Sequence, residues 1–305
     1  MDTINSRPNL ARELALLFLL ATLWGASYTF IKLGVATIAP ITLIAARTAI
    51  AGLLLLAIMH WRGVRMPRDG ATWRRFLLQA CLNSVIPWTL LAWGERSVDA
   101  GLATILNSAS PIFTFLLTAA VTRHEAASPR KLFGVVAGMA GICLIVGIEA
   151  FDAIAGGLVA ELAIVAAAIC YACAAIFGRS FGGLDPMAPA AGSLLAGAAF
   201  LIPASLVMER PWTMAPSAVS VQALLGLAVV STALAFVIYF RLIQTLGSVG
   251  TTAQAYLRVP IGVAIGVAVL DERLSPTAWI GLVCVVAGVA AMTIPARRKA
   301  VLKAP

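Results

Sequence analysis

Charge is what this chain has least of. Charged residues are 11% of its 305 and hydrophobic residues 61%, whereas an ordinary soluble domain carries about 25% charged residues. A soluble fold of this length has too little core to hide so much apolar surface, so the composition assigns the chain to a bilayer. Histidine is nearly absent as well. His60 and His124 are the only two, both predicted near a membrane surface, and no H-E-x-x-H, P-loop or metal-ligand cluster accompanies them. No catalytic group, metal or cofactor is expected, and ATP-driven pumping by this chain alone is excluded on the same ground. Gly178-Arg-Ser-Phe-Gly182 matches G-x-S-x-G, but it falls at a helix end without triad partners, so coincidence is the better account.

The other scarcities narrow the class further. The five cysteines all lie in apolar runs, where thiols act as small hydrophobes, and Cys170-x-x-Cys173 lacks the βαβ surroundings of a redox motif. The net charge of +9 comes without a long basic stretch or a stacking platform, so nucleic acid is not an expected partner. The first apolar run exceeds a signal-peptide core and carries Glu13, which reads as a retained helix.

What the chain has is apolar runs of spanning length, about 20 residues each. Ten can be marked, at roughly 12–36, 40–60, 73–94, 98–122, 130–149, 156–178, 187–208, 218–241, 249–270 and 277–295. Gly, Pro or charge punctuates the short connections between them. A pattern recurs in both halves. Gly101 and Pro111 are ten residues apart, as are Gly250 and Pro260; Glu125 then answers Glu272, Ser128-Pro129 answers Ser275-Pro276, and Gly134 and Gly141 answer Gly281 and Gly288. The expected fold is all-α, ten transmembrane helices in two five-helix repeats, 12–149 and 156–295. An odd number of spans per repeat makes the repeats inverted. Lys and Arg agree: five arginines lie between the second and third spans, and the matching loop of the other half retains only Arg210. Basic residues mark cytoplasmic loops, so both termini are predicted cytoplasmic, with Lys32, Arg96, Arg210 and Arg273 outside.

Broken helices point to the chemistry. A proline has no N–H and frees the carbonyl four residues earlier. Pro111 frees Asn107, Pro260 frees Tyr256 and Pro87 frees Asn83, at membrane depths where only protein or cavity water can satisfy such groups. Pro111 and Pro260 are candidate hinges, although kinking alone would also account for them. Arg258 is near the centre of its span, where a charge is costly and functional by default. Its planar fork suits a substrate carboxylate, while Glu161 or backbone carbonyls are the structural alternative. Trp88 and Tyr171 could wall a cavity, or simply pack. The candidate binding residues are therefore Asn83, Trp88, Asn107, Tyr171, Tyr256 and Arg258. Arg47 reads as a packing residue nearer the outer surface. Gly134-x-x-x-Gly138 and Gly262-x-x-x-Gly266 read as helix-packing sites. With so few carboxylates inside spans, no proton relay is evident.

Several of these residues together resemble a known family. Trp24-Gly25, Pro40 followed by Arg47, and the twice-repeated order of broken span, acidic residue and Gly-rich span (Pro111, Glu125, Gly134, Gly138, Gly141; Pro260, Glu272, Gly281, Gly288) are similar to the EamA-type ten-span members of the drug/metabolite transporter superfamily. The resemblance covers residues 12 to 295. It implies an inner-membrane carrier of small metabolites with a central cavity between its halves, often an exporter. Amino acids are the expected cargo; drugs, purines and other metabolites are the alternative within the superfamily, and an intramembrane enzyme the alternative outside it. Membrane lipid and the small-molecule substrate are the expected partners, and a monomer would suffice. The second half has Cys170-Tyr171 where the first has Leu23-Trp24-Gly25, so site residues do not transfer between halves.

Overall fold

The computed structural model describes residues 10–110, 112–114, 116–117, 129–146, 157–245 and 254–293. Its regular elements are helices. They are α1 (Leu10–Val35), α2 (Pro40–Trp61), α3 (Gly70–Ala80), α4 (Ile86–Gly94), α5 (Ala100–Asn107), α6 (Pro129–Val146), α7 (Gly157–Gly178), α8 (Met187–Met208), α9 (Ala218–Ala228), α10 (Ala235–Thr245), α11 (Gln254–Leu270) and α12 (Pro276–Thr293). Short π turns, Cys81–Val85 and Val229–Leu234, join α3 to α4 and α9 to α10. Six of the described segments are long and apolar enough to cross a membrane, and 257–270 and 276–288 are shorter apolar helices. The protein is an all-α, multi-pass membrane protein.

Local signals set the helix starts. Pro40 opens α2 where its missing N–H costs nothing. The Asp69 carboxylate accepts from Thr72 N at 2.7 Å and caps α3, and Ser217 caps α9 through Ser220 N at 3.1 Å. Long apolar side chains such as Phe18, Phe200, Val207 and Val283 point outward, as they must where lipid is the solvent.

The helices pack across the two halves of the chain. α2 lies on α8, α6 on α12 and α5 on α11. α1 packs on α9, α10 and α11, while α7 packs on α3, α4 and α5. Each of these partnerships survives exchange of the halves. Glycine makes the closest seams possible: a Cβ on Gly288 would lie 2.6 Å from the Gly134 carbonyl, and one on Gly141 would lie 2.8 Å from the Gly281 carbonyl. Gly262 faces Thr104 in the same way, at 2.7 Å. The expected helix-packing glycines thus act within the chain, between helices of opposite halves.

One end of the bundle is cross-tied. Lys32 Nζ donates to the Val98 carbonyl at 2.8 Å and lies 3.8 Å from Asp99. Ser220 donates to the Leu33 carbonyl at 2.7 Å, and Ser217 N donates to Thr37 at 3.0 Å. Glu209, beyond α8, accepts from Ile41 N and Thr42 N and so caps α2. At the opposite end Arg241 donates to Glu13 at 2.7 Å.

Candidate functional site

The π turns position the site. Pro87 cannot donate to the Asn83 carbonyl, and just ahead of it the Ile86 N–H reaches back to the Cys81 carbonyl, an i to i−5 bond. This swings Ser84 and Trp88 inward, both enclosed. In the other half Thr232 Oγ1 donates to the Leu227 carbonyl at 2.7 Å, five residues back, and satisfies a group its own π turn releases. Trp88 and Phe236 each follow these hydroxyl residues by one helical turn, and their rings meet edge to face with centroids 6.0 Å apart.

Arg47 joins the two turns. Its Nε donates to Thr232 Oγ1 at 2.8 Å, and its guanidinium carbon sits 3.6 Å from the centroid of the Trp88 ring. It is 2% exposed, and its Nη1 finds no hydrogen-bond partner. The sequence reading of Arg47 as a packing residue did not include this leftover donor. A guanidinium at that depth is held by a π face and one hydroxyl, with part of its donor capacity left over.

The structure brings Trp88 against Arg47 and links Tyr171, Arg258 and Asn107 to it through neighbouring groups. Trp88 lies beneath it. Tyr171, half-buried on α7, lies within electrostatic reach of both Arg47 and Arg258. Arg258, half-buried on α11, has a buried Nε without a partner. Asn107 is enclosed at the end of α5; its Nδ2 donates to the Tyr28 hydroxyl, while its Oδ1 is unfilled. Tyr28 in turn acts on Tyr171 and Arg47. Asn83 is half-buried in the first π turn, with no side-chain hydrogen bond among the described residues. The side chain of Tyr256 and all of Pro111 lie outside the described residues. Pro260 sits inside α11 with its ring exposed.

Sequence reasoning missed Tyr28, Arg47 and Thr232. Tyr28 looked like one more aromatic in an apolar run, and nothing in Val229–Leu234 signals a π turn. It also undercounted buried carboxylates. Glu95, Glu13 and Glu272 are 0%, 1% and 9% exposed. Glu13 is paired with Arg241 and Thr245, and Glu272 accepts two backbone N–H groups. Glu95 leaves both oxygens unpartnered. Glu161 makes no ion pair with Arg258 among the described residues. No group of three metal-ligating side chains occurs among the described residues, and Cys170 and Cys173 are free thiols.

Chemically, then, the centre of the bundle offers two permanent cations, three aromatic walls and a free amide oxygen. That equipment suits binding and orienting a small molecule.

The inner membrane transporter YedA of Escherichia coli K12, itself uncharacterized, is 27% identical over 288 residues, covering 91% of this chain and 89% of that protein. A probable terminal-alkyne amino-acid exporter of Streptantibioticus cattleyicolor is 27% identical over 289 residues, covering 92% and 93%. A probable amino-acid metabolite efflux pump of E. coli K12 is 27% identical over 287 residues, covering 90% and 92%. A solved crystal structure shares the fold at a TM-score of 0.67 and 19% identity, covering 94% of this chain and 99% of that one. The model of the EamA-like transporter family matches twice, over residues 11–147 and 158–294. This chain belongs to the EamA-like transporter family, and transport rather than catalysis is its activity.

Proposed function

We propose that the protein is a secondary carrier that exports small carboxylate-bearing metabolites, amino acids and their derivatives first among them, across the bacterial inner membrane. In this reading residues 12–149 and 156–295 are inverted five-helix repeats, both termini are cytoplasmic, and the Lys32 end is the outer one. The symmetric exchange of packing partners between halves and the double family match support the repeats. Two relatives whose names state amino-acid or amino-acid-metabolite export support the cargo.

One observation carries the site: the enclosed Arg47 guanidinium, stacked on Trp88, keeps an unfilled N–H at the meeting point of α2, α4 and α10. A carboxylate completes that donor set, with Arg258 as its second ligand and the Asn107 amide as a neutral contact. Helices α5 and α11, which face each other, rock to expose the site to one side and then the other, Pro111 and Pro260 serving as hinges. Counterflow in proteoliposomes tests the site. Loading with unlabelled amino acids should drive accumulation of labelled substrate, and Arg47→Met should abolish it. Unchanged counterflow in Arg47→Met and Asn107→Ala would remove the assignment. Extrusion of dyes or purines with no response to any carboxylate would favour the drug or purine alternative.

A further inference from the structure

The centre of the bundle has more positive charge than it can use. Arg47 and Arg258 are permanently ionised, both act on the Tyr171 hydroxyl, and each has a buried N–H without an acceptor, Nη1 on Arg47 and Nε on Arg258. The remaining partners of Arg47 are neutral, the Trp88 ring and the Thr232 hydroxyl. Two carboxylates come near enough to consider. Glu95 lies within electrostatic reach of Arg47, yet it is 0% exposed and neither of its oxygens meets a donor. It makes no ion pair with Arg47 among the described residues. Glu161 on α7 makes no ion pair with Arg258 among the described residues. Among the described residues, the unpartnered acceptors Asn107 Oδ1, Ser84 Oγ and Gln254 Oε1 are uncharged.

Uncompensated cations at membrane depth are costly, and their usual resolution is a partner of opposite sign. A zwitterion supplies one negative charge and adds a third positive one to a site that already holds two. A ligand with a carboxylate and no ammonium supplies the missing charge alone. Its remainder meets Trp88, Phe236 and Tyr171, which are apolar or polar but never anionic.

We propose that this site selects organic monoanions: metabolites with one carboxylate held by Arg47 and Arg258 and an uncharged, apolar remainder, such as 2-oxo acids and N-acylated amino acids, in preference to zwitterionic amino acids. This rests on the carrier reading above; it keeps the carboxylate as the recognised group and moves amino-acid derivatives without an ammonium ahead of the free amino acids.

Three probes with the same ring separate the charges: phenylpyruvate at −1, phenylalanine at zero and phenylethylamine, which lacks the carboxyl group, at +1. Binding to the purified full-length protein in detergent is measured by quenching of tryptophan fluorescence, and transport by counterflow of each labelled probe. Phenylpyruvate should bind at least about tenfold more tightly than phenylalanine, with phenylethylamine weakest, the scale of one uncancelled charge contact. Arg47→Gln should compress the ranking, weakening phenylpyruvate about thirtyfold and phenylalanine, whose carboxylate meets the same guanidinium, by a smaller factor. Arg47→Lys, which keeps the charge and loses the planar fork, should retain part of the preference. The ranking in the unsubstituted protein needs no variant to fold. If phenylalanine or phenylethylamine binds as tightly as phenylpyruvate, the inference is overturned and the carrier reading stands. If none of the three binds or exchanges, the site assignment itself falls, and this inference with it.

Discussion

Glu272, in the connection after α11, holds the first turn of α5: its two carboxylate oxygens accept from Ala100 N at 2.8 Å and from Gly101 N at 2.9 Å. The chain turns sharply to present it, with Asp271 in the left-handed region at φ 53°. An anion at a helix N-terminus meets both unfilled N–H groups and the positive end of the helix dipole. Glycine is needed on both sides. A Cβ on Gly101 would stand 3.1 Å from the carboxylate, and one on Gly266 would stand 2.5 Å from it. The acidic residue after the second broken span is thus a clasp between halves.

Glu272→Gln keeps the size and removes the charge, so it should cost about 1 to 2 kcal/mol, the usual worth of a helix cap. The check is a lower thermal unfolding midpoint in detergent. Gly266→Ala should be worse, because its methyl displaces the clasp outright. Equal midpoints for the three proteins would show that the clasp contributes nothing.

The seam of α6 on α12 gives a second prediction. A Cβ on Gly288 would meet backbone, the Gly134 carbonyl at 2.6 Å and Gly138 N at 2.7 Å, and backbone cannot swing aside as a side chain can. Gly288→Ala should destabilise by about 1 to 3 kcal/mol, as over-packing does, and Gly288→Leu should yield little monodisperse protein by size-exclusion chromatography. Gly157, with open space around its Cβ position, is the control: Gly157→Ala should behave as the parent does.

Glu95 predicts a pH dependence of stability. Burial without a hydrogen-bond donor pushes its carboxyl well above the usual carboxylate range. Lys32 and Arg47 pull it down and Glu272 pushes it up, but burial is the largest cause. The folded chain therefore keeps a proton that the unfolded chain releases, and linkage makes stability fall as pH rises from the ordinary glutamate value upward. Glu95→Gln carries a permanent neutral mimic, so its unfolding midpoint should lose this component and exceed the parent's by a margin that grows with pH. A constant difference between the two across the titration would show that Glu95 does not hold its proton.

How much of this was legible in the sequence follows from where each signal resides. Spanning helices advertise themselves in runs of apolar residues, and the predicted 187–208 is the observed α8, while the predicted 156–178 is one residue longer than α7. The seam glycines were legible because close helix approach needs small residues at fixed spacing. The first π turn left a trace in Pro87. The second, Val229–Leu234, contains neither proline nor glycine, so its inward Thr232 could not be found without the fold. Arg47 was visible as a charge in a span, but its depth and its seat on Trp88 are tertiary facts. The role of Glu272 needed the other half of the chain beside it.

Thr232 offers the sharpest test of how the site is held. Its hydroxyl accepts from Arg47 Nε at 2.8 Å and donates to the Leu227 carbonyl at 2.7 Å, so one oxygen fixes both the guanidinium and the π turn. It is a positioning residue, acting on substrate only through Arg47. Thr232→Val keeps the shape and leaves the Leu227 carbonyl and Arg47 Nε without partners, an enclosed loss of about 1 to 3 kcal/mol for each. Thr232→Ser keeps the oxygen. The expected result is a rise in the apparent KM for carboxylate substrates of about tenfold in Thr232→Val, near-parent kinetics in Thr232→Ser, and no further loss when Thr232→Val is combined with Arg47→Met. A purely structural threonine would instead lower the amount of folded protein and leave KM unchanged, and its effect would add to that of Arg47→Met rather than vanish in its presence.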